Sequence, residues 1–156
     1  MGSVRRHLHI PAPPDDVWAV VGDPARLAEW FPVAECTTDL DADPPTRHVR
    51  LPSGLALDEE VVTVDADLRR FQYRIVAGGL ITSHLGTVDV IGDGDGSLVI
   101  YSTDAEPDVF ALTIGSGSGE ALARLHQMFA GDGPDTAGHH DPHPASADDP
   151  DRAGGN

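Results

Sequence analysis

Val4, Arg6, Leu8 and Ile10 alternate with Arg5, His7 and His9, so the chain opens on a period of two. That period predicts a strand with one apolar face. Pro11, Pro13 and Pro14 stop it. A helix starting at Asp15 or Asp16 follows, with Val17, Trp18, Val20 and Val21 as its apolar positions and Gly22 at its end. Asp23-Pro24 sets a capping side chain before a first-turn proline, which starts a second short helix running through Leu27 to about Trp30. Beyond Pro32 six further strands are expected, at residues 33–39, 46–51, 55–65, 71–76, 84–91 and 97–105. Turn signals separate them: Pro52-Ser53-Gly54, Asp65-Ala66-Asp67, Gly78-Gly79, and the run from Gly92 to Gly96. Phe110, Ile114, Ala121, Leu122, Leu125 and Phe129 recur at helical spacing and predict one C-terminal helix over residues 108–129. Gly115, Gly117 and Gly119 lie in its middle. Each costs about 1 kcal/mol relative to Ala, so a kink or break is expected there.

The order is strand, two short helices, six strands, long helix, which suggests an α+β domain. An antiparallel sheet joined by hairpins needs one face covered, and only the last helix is long enough to cover it. A seven-stranded sheet wrapped round one helix leaves a space between them, a natural site for an apolar ligand. The apolar face of the last helix would bring Phe110 and Ile114 to that space. Composition changes abruptly after Ala130: residues 131–156 hold no apolar side chain larger than Ala, and six Asp against one Arg. Such a stretch cannot bury enough surface to offset the entropy of ordering. The expected organisation is one folded domain over residues 2–130 and a disordered acidic tail over 131–156.

Charge narrows the partners. There are 10 basic residues, all Arg, against 26 acidic ones, for a formal net charge of −16. That balance argues against nucleic acid and against an anionic membrane surface. The one cysteine, Cys36, excludes an internal disulfide, and no activating neighbour is visible in the sequence. A reduced, cytoplasmic setting fits best. The first residues lack the apolar stretch of a signal peptide, and no apolar run is long enough to span a membrane. Asp93 and Asp95 lack the spacing and closing Glu of a calcium loop, and no helix follows Gly96 to hold a phosphate. His139, His140 and His143 in the tail have no cysteine or preorganised partner nearby. No metal and no cofactor is expected.

Candidate polar residues come from the hairpin around Pro52-Ser53-Gly54. If Leu51 pairs with Leu55, then Val49 pairs with Leu57 and Arg47 with Glu59. A period of two puts all six on one face, and four are apolar, so that face points inward. Arg47 and Glu59 then form a cross-strand pair facing the cavity. The pair is either a structural salt bridge or an anchor, with Arg47 holding a ligand carboxylate or phenol and Glu59 serving as acid or base. The same periodicity turns Phe71, Tyr73 and Ile75 inward, with His84, Gly86, Val88 and Val90, and Val99, Tyr101 and Thr103. His84 is a candidate ligand contact or proton shuttle. Tyr73 and Tyr101 are core aromatics or ligand contacts, and Trp30, just past a helix end, is packing or a lid. Catalytic candidates are Glu59 and His84. Ligand-binding candidates are Trp30, Arg47, Glu59, Tyr73, His84, Tyr101, Phe110 and Ile114.

Several segments together resemble the SRPBCC superfamily, the helix-grip group of START lipid-transfer domains, pollen-allergen-like proteins and polyketide cyclases/dehydrases. They are Ile10-Pro-Ala-Pro-Pro with Val17-Trp18 beyond, then Asp23, Leu27 and Trp30-Phe31-Pro32. The hairpin set Arg47, Val49, Gly54, Glu59 and Asp65, and the aromatic strand Phe71-Gln-Tyr-Arg-Ile75, continue the likeness. The resemblance implies a helix-grip fold and a deep, mainly apolar cavity between sheet and final helix. It implies no shared catalytic residue. The expected function is binding or transport of a small hydrophobic molecule such as a lipid, polyketide or isoprenoid. The alternatives are a cyclase/dehydrase-type enzyme acting on a bound substrate, and a co-chaperone or interaction module with no substantial cavity. The oligomeric state is not legible.

Overall fold

The computed structural model describes residues 1–77 and 80–131. Seven strands form one antiparallel sheet in the order β1-β7-β6-β5-β4-β3-β2. They are β1 (Gly2–Ile10), β2 (Glu35–Asp39), β3 (Thr46–Arg50), β4 (Ala56–Asp65), β5 (Arg70–Ala77), β6 (Ser83–Asp93) and β7 (Gly96–Glu106). Between β1 and β2 lie α1 (Pro14–Val21), a 3-10 turn (Pro24–Arg26) and α2 (Leu27–Trp30), and the chain closes with α3 (Asp108–Ala130). This is the expected helix-grip architecture. The acidic segment beyond Gly131 lies outside the described residues.

Local chemistry accounts for the connections. The Asp23 carboxylate accepts from the Ala25 amide at 2.9 Å, capping the 3-10 turn. The hairpin between β3 and β4 closes with the Leu51 amide donating to the Leu55 carbonyl at 2.8 Å. Gly54 takes φ +88°, a backbone conformation that needs glycine at this turn. Ser97, fully buried on β7, donates to the Ala12 carbonyl at 2.7 Å and ties the β1–α1 connection to the sheet.

The two faces of the sheet differ as a period of two requires. The inner face carries Val49, Leu57, Val61, Phe71, Tyr73, Val88, Val90, Val99 and Tyr101, all buried. The outer face carries cross-strand polar pairs: Arg50–Glu35 at 3.1 Å and Arg70–Asp89 at 2.7 Å as ion pairs, and a His48–Asp58 hydrogen bond at 2.7 Å. Exposed pairs of this kind add little stability each. They do keep the outer face solvated. Leu55, expected on the inner face, is instead 44% exposed, because it sits at the hairpin tip beyond the cover of any helix.

Helix α3 runs unbroken through its glycines, against the expected break. Its buried positions are Ala111, Gly115, Ser118, Ala121, Leu122 and Leu125. In the first half these are small residues, whereas Phe110 and Ile114 are only half-buried. A Cβ on Gly115 would come within 2.6 Å of Val4 Cγ1, so helix and strand leave no room for a methyl there. Packing of α3 on β1 and β7 compensates the low helix propensity.

The two glycines should therefore respond oppositely. Gly119→Ala, with open space around the new methyl, should stabilise by up to about 1 kcal/mol. Gly115→Ala should destabilise, because Val4 must move. Thermal unfolding of the two variants checks this; a gain for both would show that α3 does not rest on β1 at Gly115.

Candidate functional site

Between α3 and the β3–β5 part of the sheet lies a cavity of about 280 Å³. Its walls are mainly apolar: Leu27, Phe31 and Val33 from α2 and the segment after it, Val49 and Leu57 from β3 and β4, and Ile75 from β5. Leu51, Pro52 and Ser53 border it at the β3–β4 turn, and Thr113, Ile114, Gly117 and Glu120 border it from α3. Pro52, Ser53, Thr113 and Glu120 are exposed, which places the mouth between that turn and the helix.

Four polar side chains line the buried part: Arg47, Glu59, Tyr73 and Tyr101. The observed register pairs Arg47 with Glu59 across β3 and β4, as the hairpin predicts. Arg47 is 2% exposed and Glu59 6%. Arg47 Nε donates to Glu59 Oε2 at 3.0 Å, and Nη2 lies 2.8 Å from the same oxygen. A guanidinium has five N–H donors, so the pair leaves others spare. The guanidinium carbon also lies 5.0 Å from the Phe71 ring centroid and 4.8 Å from that of Tyr73. Such contacts stabilise a desolvated cation. Burial pushes the Glu59 carboxyl above the ordinary carboxylate range, and Arg47 pulls only partly the other way. Burial, the largest single effect, disfavours the Arg47 cation, but Glu59 together with Tyr73, Tyr101 and Cys36 outweighs it and raises the Arg47 pKa.

The Tyr73 and Tyr101 hydroxyls meet at 2.6 Å, both buried. Burial raises both phenols well above their ordinary pKa, so both stay protonated. Two hydroxyls bonded to each other use one proton and leave one. Gly86 makes the arrangement possible. A Cβ there would lie 2.2 Å from Tyr73 Cε1, so the ring lies directly over the glycine.

Three expected side chains do not line the cavity. Trp30 is 2% exposed and sits behind its wall, its ring 6.2 Å from Phe31 and 6.1 Å from Tyr101. The reason is the end of α2: Phe31 turns extended, at φ −97° and ψ 142°, and it is Phe31 that reaches the cavity. His84 is 6% exposed and shielded by Tyr73, with ring centroids 5.2 Å apart. Its Nδ1 accepts from the Ile75 amide at 3.2 Å, and its Nε2 is buried without a partner. Burial lowers its pKa to about 4, so it is neutral at neutral pH. Phe110 falls beside the buried stripe of α3 and is not a wall residue, unlike Ile114 one turn later. Sequence reasoning missed Leu27, Phe31, Pro32, Val33, Pro52, Ser53, Thr113, Gly117 and Glu120. The extended exit before Pro32 is the one signal that could have placed Phe31 opposite Trp30. Cys36 is half-buried, and burial raises its thiol pKa, which disfavours the reactive thiolate.

Two measurements check these assignments. Glu59→Leu, which strands the buried Arg47 charge, should destabilise by about 3 kcal/mol or more, whereas Arg47→Met/Glu59→Leu should recover most of that loss. Urea unfolding decides; a double variant as unstable as the single one would show that the pair is not isolated in an apolar setting. His84 binds a proton near pH 6.5 when unfolded and near pH 4 when folded. The unfolded state therefore holds more protons in that window, and stability falls as pH drops from about 6.5 to about 4, by about 3 kcal/mol in total. His84→Asn should remove that part of the acid dependence; an unchanged profile would show that His84 titrates normally.

Similarity to known proteins agrees with this geometry. Residues 1–129 match the family described as polyketide cyclase / dehydrase and lipid transport. No curated protein gives a significant sequence match. Among solved structures, the protein XoxI from Bacillus cereus is similar, at 24% identity over 83% of this chain and 96% of its own, with a TM-score of 0.76. A START superfamily protein from Mycobacterium smegmatis is 14% identical over 84% of this chain and 99% of its own, at a TM-score of 0.69. Norcoclaurine synthase from Thalictrum flavum, solved with dopamine and hydroxybenzaldehyde, is 17% identical over 83% and 87%, at a TM-score of 0.65. At these identities the structural likeness speaks for the fold. With a family match that spans the whole sheet and nearly all of α3, the chain belongs to the polyketide cyclase / dehydrase and lipid transport family.

Proposed function

We propose that this protein binds a small, mainly apolar organic molecule in the cavity between α3 and strands β3–β5, and acts as a carrier or binding domain. One observation carries the reading: an apolar cavity of about 280 Å³ that ends on four buried polar side chains. Apolar walls supply the binding energy, and a few fixed polar groups supply orientation. Trp30 and Phe110 act through packing in this reading, and His84 supports Tyr73 from behind. A pure interaction module would have no use for such a cavity.

An enzymatic reading is favoured by one feature. Glu59 has a raised pKa beside two phenols, and an acid and a base held against a bound substrate suffice for cyclisation or dehydration. The carrier reading ranks first because Arg47 holds the Glu59 carboxylate, and among the described residues the cavity walls bring no nucleophile–base pair together.

Native mass spectrometry of the protein purified from its own host tests the proposal. The expected result is a co-purifying apolar molecule that leaves on denaturation. Incubating that molecule with fresh protein separates the two readings: recovery unchanged fits a carrier, and conversion fits an enzyme. A protein that purifies empty, and takes up no member of a library of apolar small molecules, would overturn both.

A further inference from the structure

The polar end of the cavity is electrically complete before any ligand enters. The two Arg47 nitrogens that make the ion pair converge on one Glu59 oxygen, so the guanidinium is already neutralised. Its face is occupied by Phe71 and Tyr73. The tyrosines are bonded to each other, and their remaining proton is a neutral donor. A carboxylate arriving here would meet no uncompensated cation and would lie close to Glu59. The mouth offers an anion no free cation either, since Glu120 there is paired with Arg124 and the chain carries a formal net charge of −16. A ligand carrying a neutral oxygen fits instead, accepting from the spare tyrosine hydroxyl or from Arg47 Nη1 without breaking the ion pair.

We propose that the cavity selects an uncharged ligand, an apolar body bearing a carbonyl or hydroxyl oxygen, and that the Tyr73–Tyr101 hydroxyl pair reads that oxygen. The inference rests on the cavity being a binding site, and it names what is bound there. It assigns Arg47 and Glu59 the role of holding the tyrosines in a neutral, preorganised setting rather than gripping an anion.

Three probes of one shape test it: 2-acetylnaphthalene, 2-ethylnaphthalene and 2-naphthoate, titrated calorimetrically near neutral pH into the full chain and into Tyr73→Phe/Tyr101→Phe. The double variant removes both partners of one hydrogen bond and leaves none stranded, so it should fold. The ketone should bind the wild type and lose about threefold to tenfold in the variant, the range a single neutral hydrogen bond supports. The hydrocarbon should bind both proteins alike, and naphthoate should bind at least tenfold more weakly than the ketone. Equal losses for ketone and hydrocarbon, or tighter binding of naphthoate, would overturn the neutral-oxygen inference and leave the cavity reading standing. Failure of the wild type to bind any of the three would remove the cavity reading and this inference with it.

Discussion

Helix α3 lies close against β1 and β7 because the side chains it turns to them in its first half are small. Ala111, Gly115 and Ser118 let the helix backbone approach, and at Gly115 there is no room for a methyl beside Val4. One helix cannot be close to every strand of a curved seven-stranded sheet. Seating α3 on the β1–β7 side leaves a gap between the helix and strands β3, β4 and β5, and the cavity is that space. Gly115, which weakens the helix on propensity grounds, is thus part of what opens the site.

An open apolar space would ordinarily be lost to inward collapse of large side chains. Here its deep wall is built from side chains that hold one another. Arg47 is fixed by Glu59 and by the faces of Phe71 and Tyr73, and Tyr73 by Gly86 beneath it and by the Tyr101 hydroxyl. Each member limits the rotamers of the next. Buried polar networks are tolerated when every member is satisfied. This one leaves capacity at Glu59, at the remaining Arg47 N–H groups and at one phenol proton, all belonging to wall residues of the cavity.

The sequence made much of this legible, for a physical reason. Strand faces follow a strict period of two, and the Gly54 turn fixes the β3–β4 register, so the Arg47–Glu59 pairing could be read from spacing alone. Tyr73, Tyr101 and His84 were placed on the inner face by the same rule. The rule says which face a side chain takes and is silent about depth. It could not say that His84 lies behind Tyr73, or that Trp30 lies behind Phe31. The face of α3 was harder still. Large apolar residues at helical spacing suggested Phe110 and Ile114 toward the sheet, whereas close packing selected the small residues one position on. Helix phase is set by which neighbours allow approach, and a single chain does not carry that information in its hydrophobic pattern.

The central claim is that the space beside α3 is a binding site rather than a packing defect, and methyl-detected NMR during titration with naphthalene tests it most directly. The account predicts shifts at Leu27, Val33, Val49, Leu57, Ile75 and Ile114, whose side chains line the cavity, with Val62, Val64 and Ile91 on exposed surface unmoved. Shifts confined to the exposed group, or absent from the cavity group at saturating probe, would contradict it.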